Sequence, residues 1–143
     1  MVAALLFTQC VSAAGSSRYP YLPRQAKVAV CAHAGRAIAL PAAFPPQFPF
    51  PRGTILDHTK PLLKRQIGVY GYVPSTNFVA TVTFFRREVV RAGFALIGFE
   101  VDSPNDSEGT YRGYGKIGRW QLRSLPGCAS AMAFSASAEP VPA

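Results

Sequence analysis

Residues 76–92, TNFVATVTFFRREVVRA, carry a single apolar stripe. Phe78, Val82, Phe85, Val89 and Ala92 recur at spacings of four, three, four and three. That is the period of an amphipathic helix with one buried face. Its ends are marked as well. Ser75, Thr76 or Asn77 can cap the start, just after Pro74, and Gly93 stands where a left-handed C-cap belongs. Arg86, Arg87 and Arg91 fall in the last two turns, at the negative end of the helix dipole, and Glu88 can pair with Arg91. A helix with one apolar face needs a surface to bury it against.

Period-two segments supply that surface. GTILDHTK and RQIGVYGYV read as two strands joined by a turn over 61–64. FALIGFEVD leaves the helix as a third strand, SPNDSEG is its turn, and TYRGYGKIGRWQLRSL reads as one long return strand. In that strand Tyr114, Trp120 and Leu122 share one parity, with Arg119, Gln121 and Arg123 on the other. After Pro126-Gly127, ASAMAFSAS gives a last short strand. The expected fold is α+β: one antiparallel sheet of four to six strands, over 53–60, 65–73, 94–102, 110–125 and 129–136, with the helix on one face. The expected core comprises Ile55, Ile67, Val69, Phe78, Val82, Phe85, Val89, Ile97, Phe99, Trp120, Leu122, Met132 and Phe134.

Before the strands comes PAAFPPQFPFPRGT, with five prolines between 41 and 51. These exclude helix and favour polyproline II, with Phe44, Phe48 and Phe50 pinning a wrapping segment to a surface. The 143 residues then divide into a signal segment (1–14), a linker and N-terminal segment (15–40), one domain (41–136) and a tail (137–143).

The start, MVAALLFTQCVSAAG, combines a short apolar run with small residues, the pattern of a secretory signal cleaved after Ala13 or Ala14, although no Lys or Arg precedes the run. Cys10 offers the alternative of lipidation, but Phe7-Thr-Gln9 lacks the small residues that normally precede a lipidated cysteine. No other segment is long and apolar enough to span a bilayer. Cleavage leaves Cys31 and Cys128, which can pair in an oxidising compartment. Two unpaired buried thiols are the alternative.

Gly113-Tyr-Gly115-Lys-Ile-Gly118 matches G-x-G-x-x-G. A dinucleotide loop needs a helix opening at the third glycine, to carry the pyrophosphate on its N-terminus. Here strand alternation follows, so the glycines are read as bends or as room for neighbouring aromatics, with Tyr111, Tyr114 and Trp120 the candidates to lie across them. Asp57 and His58 are adjacent but expected on opposite faces of one strand. Asp102, Asp106 and Glu108 read as a solvated turn, with Pro104 breaking any EF-hand pattern. No catalytic constellation, metal site or cofactor motif can be assembled.

The formal charge of +8 favours anionic partners. Arg119 and Arg123 share the outward parity and are the expected contacts for an anionic polymer or lipid surface. Arg112 is expected on the other parity, and the helix arginines on a second surface. The leading function is a non-enzymatic binding module for an anionic envelope component, with no specific nucleic-acid partner. The rivals are an accessory subunit of an envelope complex and an enzyme with a dispersed site. An exposed apolar patch would mark the first, and a deep pocket with converging polar groups the second.

FPRGT, GYVPS, FFRREVVRAGF and YRGYGKIGRWQLRSLPGC, in that order, resemble a group of small exported bacterial proteins, often lipoproteins, from high-GC genomes. The resemblance runs from about residue 44 to 134. It implies export and this fold, and no activity. A lipid-attached cysteine is common in that group, whereas FTQC here is a poor lipidation signal.

Overall fold

The computed structural model describes residues 36–63, 65–75, 77–125, 127–128 and 131–142. The signal segment, most of the linker, Cys10 and Cys31 lie outside them. Among the described residues the strands are β1 (Ile55–Pro61), β2 (Ile67–Val73), β3 (Ala95–Ser103), β4 (Asp106–Gly113), β5 (Lys116–Ser124) and β6 (Met132–Pro140), with one helix, α1 (Phe78–Arg91), between β2 and β3. They form a single six-stranded sheet in the order β1-β2-β6-β5-β4-β3. Every pairing is antiparallel. The fold is α+β, with the helix packed on one face.

Asn77 is the residue that caps α1: its side chain accepts from the Ala80 amide at 2.9 Å. At the other end Gly93 has φ +90 and its amide reaches the Val90 carbonyl at 3.0 Å. Thr81, Val82, Phe85 and Val89 are buried, while Phe78 is half-buried and Phe84 meets Phe85 edge-on, widening the packed face. Phe44 and Phe48 enter the same core, filling the space between α1 and the sheet. Their segment does not run as continuous polyproline II. It makes two tight turns, closed by Phe44 N to Pro41 O and Phe48 N to Pro45 O at 2.9 and 3.1 Å. Each turn drives one phenylalanine inward.

The long return strand expected over 110–125 is two strands. Tyr114 and Gly115 have φ +52 and +69, and Gly113 pairs with Lys116, so the two residues form a type I′ hairpin turn. The Tyr114 hydroxyl donates to the Ala92 carbonyl at 2.6 Å, docking the hairpin tip on the end of α1. Gly118 lies under Tyr111. The three glycines of the G-x-G-x-x-G match thus serve a strand end, a hairpin turn and an aromatic contact, with no helix following. The preceding turn is also shorter than SPNDSEG: only Pro104 and Asn105 lie outside strands.

Boundaries move as well. Ile38 and Leu40 pack on the core, and the Ile38 amide donates to the Leu56 carbonyl at 2.8 Å, so the domain starts before residue 41. β6 continues to Pro140, with Ala138 buried, so the expected tail from 137 is partly strand. Two expected core residues are exposed: Ile55 at 38% and Ile97 at 54%. Leu56 takes the inward place that Ile55 was expected to fill. Ile97 sits where the β3–β4 register slips between Leu96 and Gly98. A bulge there leaves one residue without a cross-strand partner.

Candidate binding site on the polar face

Residues opposite one another in an antiparallel sheet share a face. Following the register from Tyr70 to Ser135, Gln121, Glu108 and Glu100, and from Lys60 to Gly68, Ser137, Arg119 and Thr110, traces the face away from α1. It is polar throughout its middle. The hairpin turn brings Arg112 onto this face too, because Arg112 pairs with Ile117 and Thr110 with Arg119. The expectation that Arg112 has the opposite parity rested on an uninterrupted strand.

A cleft of about 550 Å³ opens on this face. Its floor is Tyr70, Ser135, Ser137, Gln121, Arg119 and Glu108, and Leu62, Leu63 and Gln66 form its wall. The wall exists because the β1–β2 connection folds over the sheet. Leu62 donates its amide to Gln66 O at 2.8 Å, and Arg65 takes φ +63 to close the turn. Gln66 then reaches the Ser137 hydroxyl at 3.3 Å. Leu63, at the tip, is 85% exposed.

The two expected contact residues differ in setting. Arg119 pairs with Glu108 across the β4–β5 ladder, and its side chain is 60% exposed. Arg123 pairs with Asp106 at 3.3 Å with its side chain only 16% exposed, and Gln121 donates to the other Asp106 oxygen at 3.2 Å. On the polar face four cations (Lys60, Arg112, Arg119, Arg123) meet four carboxylates (Glu100, Asp106, Glu108, Glu139). The Asp57 carboxylate, held against His58, adds a fifth acid, so these strands carry no excess of positive charge on this face. The excess positive charge of the chain lies elsewhere, in part on α1, where Arg86, Arg87 and Arg91 accompany the single acid Glu88. Hydrogen bonds from Arg87 and then Arg91 hold the Glu88 carboxyl below its usual range.

Asp57 and His58 are in contact, contrary to the expectation of opposite faces. A register shift between Leu56 and His58 makes Asp57 a bulge residue, and its carboxylate meets the His58 Nδ1. His58 in turn stacks on Tyr70, ring centroids 4.6 Å apart and 3° from parallel. Burial, and secondly the Asp57 carboxylate, push the Tyr72 phenol well above its usual value. The pair braces Tyr70 at the edge of the cleft without lining it.

Cys128 packs with Tyr72, Leu125, Ala131 and Ala133 in a small second cluster. Among the described residues no group of three or more His, Cys, Asp or Glu side chains is placed to hold a metal ion. No described helix is long and apolar enough to cross a membrane. No family model matches the chain, and neither the curated proteins nor the solved structures contain a detectably similar one.

Proposed function

We propose that the protein is an exported, non-enzymatic binding module that holds an extended anionic polymer of the cell envelope on its polar face. The observation that supports this most is the cleft, whose floor brings three hydroxyls, an amide, a carboxylate and an exposed guanidinium into one shallow depression. Such a floor suits a chain rich in hydroxyl groups with spaced carboxylates or phosphates. Arg119 is the charged contact. An incoming anion replaces Glu108 as its partner, and this exchange keeps affinity modest and salt-dependent. Arg123 serves by fixing Asp106, which in turn positions Gln121. The resemblance to small exported proteins supports the compartment; export further predicts a Cys31–Cys128 disulfide, which peptide mapping under non-reducing conditions checks.

Co-sedimentation with insoluble wall polymer, and separately with anionic lipid vesicles, tests the reading. Wild type should bind the polymer at low salt and release it as salt rises. Arg119→Ala should lose most of that binding, and Arg87→Ala on the helix should keep it. Equal binding by wild type and Arg119→Ala, or binding to vesicles alone, would reject it.

A further inference from the structure

Turns are usually built from Gly, Pro, Asn, Asp or Ser. The connection between β1 and β2 instead carries Leu62 and Leu63 side by side. It is tied twice: Leu62 donates its amide to the Gln66 carbonyl at 2.8 Å, and Gln66 donates its own to the Leu63 carbonyl at 3.2 Å. Both leucines are thereby held at the wall of the cleft, above a polar floor. Leu63 is 85% exposed, so its apolar surface adds almost nothing to folding.

β2 makes room for the other leucine. A Cβ on Gly68 would stand 3.2 Å from the Leu62 Cδ1 and 3.0 Å from the Tyr70 hydroxyl. The missing side chain is the space in which Leu62 and Tyr70 come together against the sheet. Gly68 pairs with Ser137, and Tyr70 with Ser135. This apolar corner therefore adjoins two hydroxyls, with Arg119 and Gln121 one strand further on.

The chemistry of the corner narrows what it can hold. The two aromatic residues of the lining, Tyr70 and Trp120, are buried, and His58 stacks on Tyr70. The cleft thus offers no open ring face for a sugar ring to stack on. Its apolar contact is aliphatic and small. Beside it Gln121 donates an amide N–H to Asp106 at 3.2 Å, which leaves the Gln121 carbonyl to accept, and the Ser135 hydroxyl can donate. An aliphatic contact, an acceptor and a donor side by side complement a methyl, an N–H and a C=O side by side.

We propose that the cleft takes the N-acetyl group of an amino sugar, so that the polymer is built from N-acetylated amino sugars. This rests on the polymer-binding reading above and names the repeating unit. The acetyl methyl packs on Leu62 and Leu63. The acetamido N–H donates to the Gln121 carbonyl, and the Ser135 hydroxyl donates to the acetamido C=O. Arg119 stands two strand spacings from Gly68, about 10 Å, so the acetyl contact and the charged contact are separate parts of one site. A plain hydroxyl in place of the acetamido group leaves the leucines in water and satisfies only one of the two polar partners.

Tetramers of β-1,4-linked N-acetylglucosamine and of β-1,4-linked glucose differ at the 2-position alone, and neither is charged. Each is titrated into the full chain and followed by backbone amide NMR shifts. The N-acetylated tetramer should bind roughly tenfold more tightly, the combined effect of a buried methyl and one matched hydrogen bond. The shifts should centre on Ser135, Ser137 and Gln121. The preference should survive high salt and Arg119→Ala, unlike binding of the anionic polymer. Leu63→Ser, a change at an exposed site that leaves the fold intact, should cut the preference to roughly threefold or less. Arg119-dependent polymer binding with no preference between the tetramers overturns the inference and leaves the polymer reading standing. A preference undiminished in Leu63→Ser also overturns it. Wild type that binds neither polymer nor tetramer rejects both.

Discussion

Phe85 of α1 stacks on Trp120 of β5, ring centroids 4.8 Å apart and planes 22° from parallel. Phe134 of β6 lies parallel to the same Phe85 ring at 5.2 Å. One helical side chain therefore joins two neighbouring strands. Phe85 is fully buried, so truncation leaves a cavity that the rigid sheet cannot close. Phe85→Ala should cost ~3–5 kcal/mol. Arg87→Ala, on the exposed side of the same helix, should change stability by no more than ~0.5 kcal/mol. Urea denaturation of both variants measures the difference, and equal midpoints would contradict this packing.

The helix was legible because its stripe, its N-cap and Gly93 all point to the same seventeen residues. The inward parity of Trp120 and Leu122 was legible for a similar reason, since both lie on one side of the turn. The hairpin itself was hidden: Tyr114 adopts φ +52, a conformation that a bulky residue rarely takes, so Tyr-Gly did not read as a turn. Misplacing Arg112 followed directly from that. The cleft was not legible at all. Its floor draws on β2, β4, β5 and β6, and its wall depends on where the β1–β2 connection places Leu62, Leu63 and Gln66. Nor does charge spacing along one strand reveal that Glu108 and Asp106 will stand beside Arg119 and Arg123. That is set by the register.

Gly115 and Gly118 should respond differently to the same substitution. A Cβ on Gly115 meets nothing within 4 Å, so Gly115→Ala carries only the strain of φ +69, on the order of 1 kcal/mol. A Cβ on Gly118 runs into the Ser137 carbonyl oxygen and the Tyr111 ring. Tyr111 is pinned there by its hydroxyl, which donates to that same carbonyl at 2.7 Å. Gly118→Ala should therefore lower the melting temperature far more than Gly115→Ala. The reverse order would mean that Tyr111 is not held against β5.

Alkaline stability follows from two phenols. Burial pushes Tyr111 well above its ordinary value of 10.0, and burial followed by the Asp57 carboxylate does the same to Tyr72. The neutral phenol is favoured in the folded state. Between the unfolded and folded values the unfolded chain has lost a proton that the native protein keeps, so stability falls as pH rises. This contribution is complete below about pH 10 and is lost as pH climbs through the raised values. Spectrophotometric titration should show two phenolates appearing only with unfolding. Tyr111→Phe should flatten the decline, and a normal titration of all tyrosines in the folded protein would refute the account.

Arg119 and Arg123 should separate into a binding residue and a structural one. Asp106 and Arg123 form a largely buried pair, side chains 9% and 16% exposed. Removing one member strands the other, at a cost of ~3 kcal/mol or more. Arg119→Ala removes an exposed partner instead, and its effect on stability should stay below ~1 kcal/mol. The Glu108 carboxylate pairs with Arg119 and so competes with any anion that comes to the cleft. Glu108→Gln keeps the shape of that side chain while discharging it. Polymer binding at low salt should therefore strengthen in Glu108→Gln, by several-fold, and disappear when Arg119→Ala is added. Asp106→Asn should weaken folding without strengthening binding, because its arginine stays buried. Should Glu108→Gln bind no better than wild type while Arg119→Ala still abolishes binding, Arg119 contacts the polymer without exchanging partners. If neither substitution moves the binding curve, the polymer is held elsewhere on the protein.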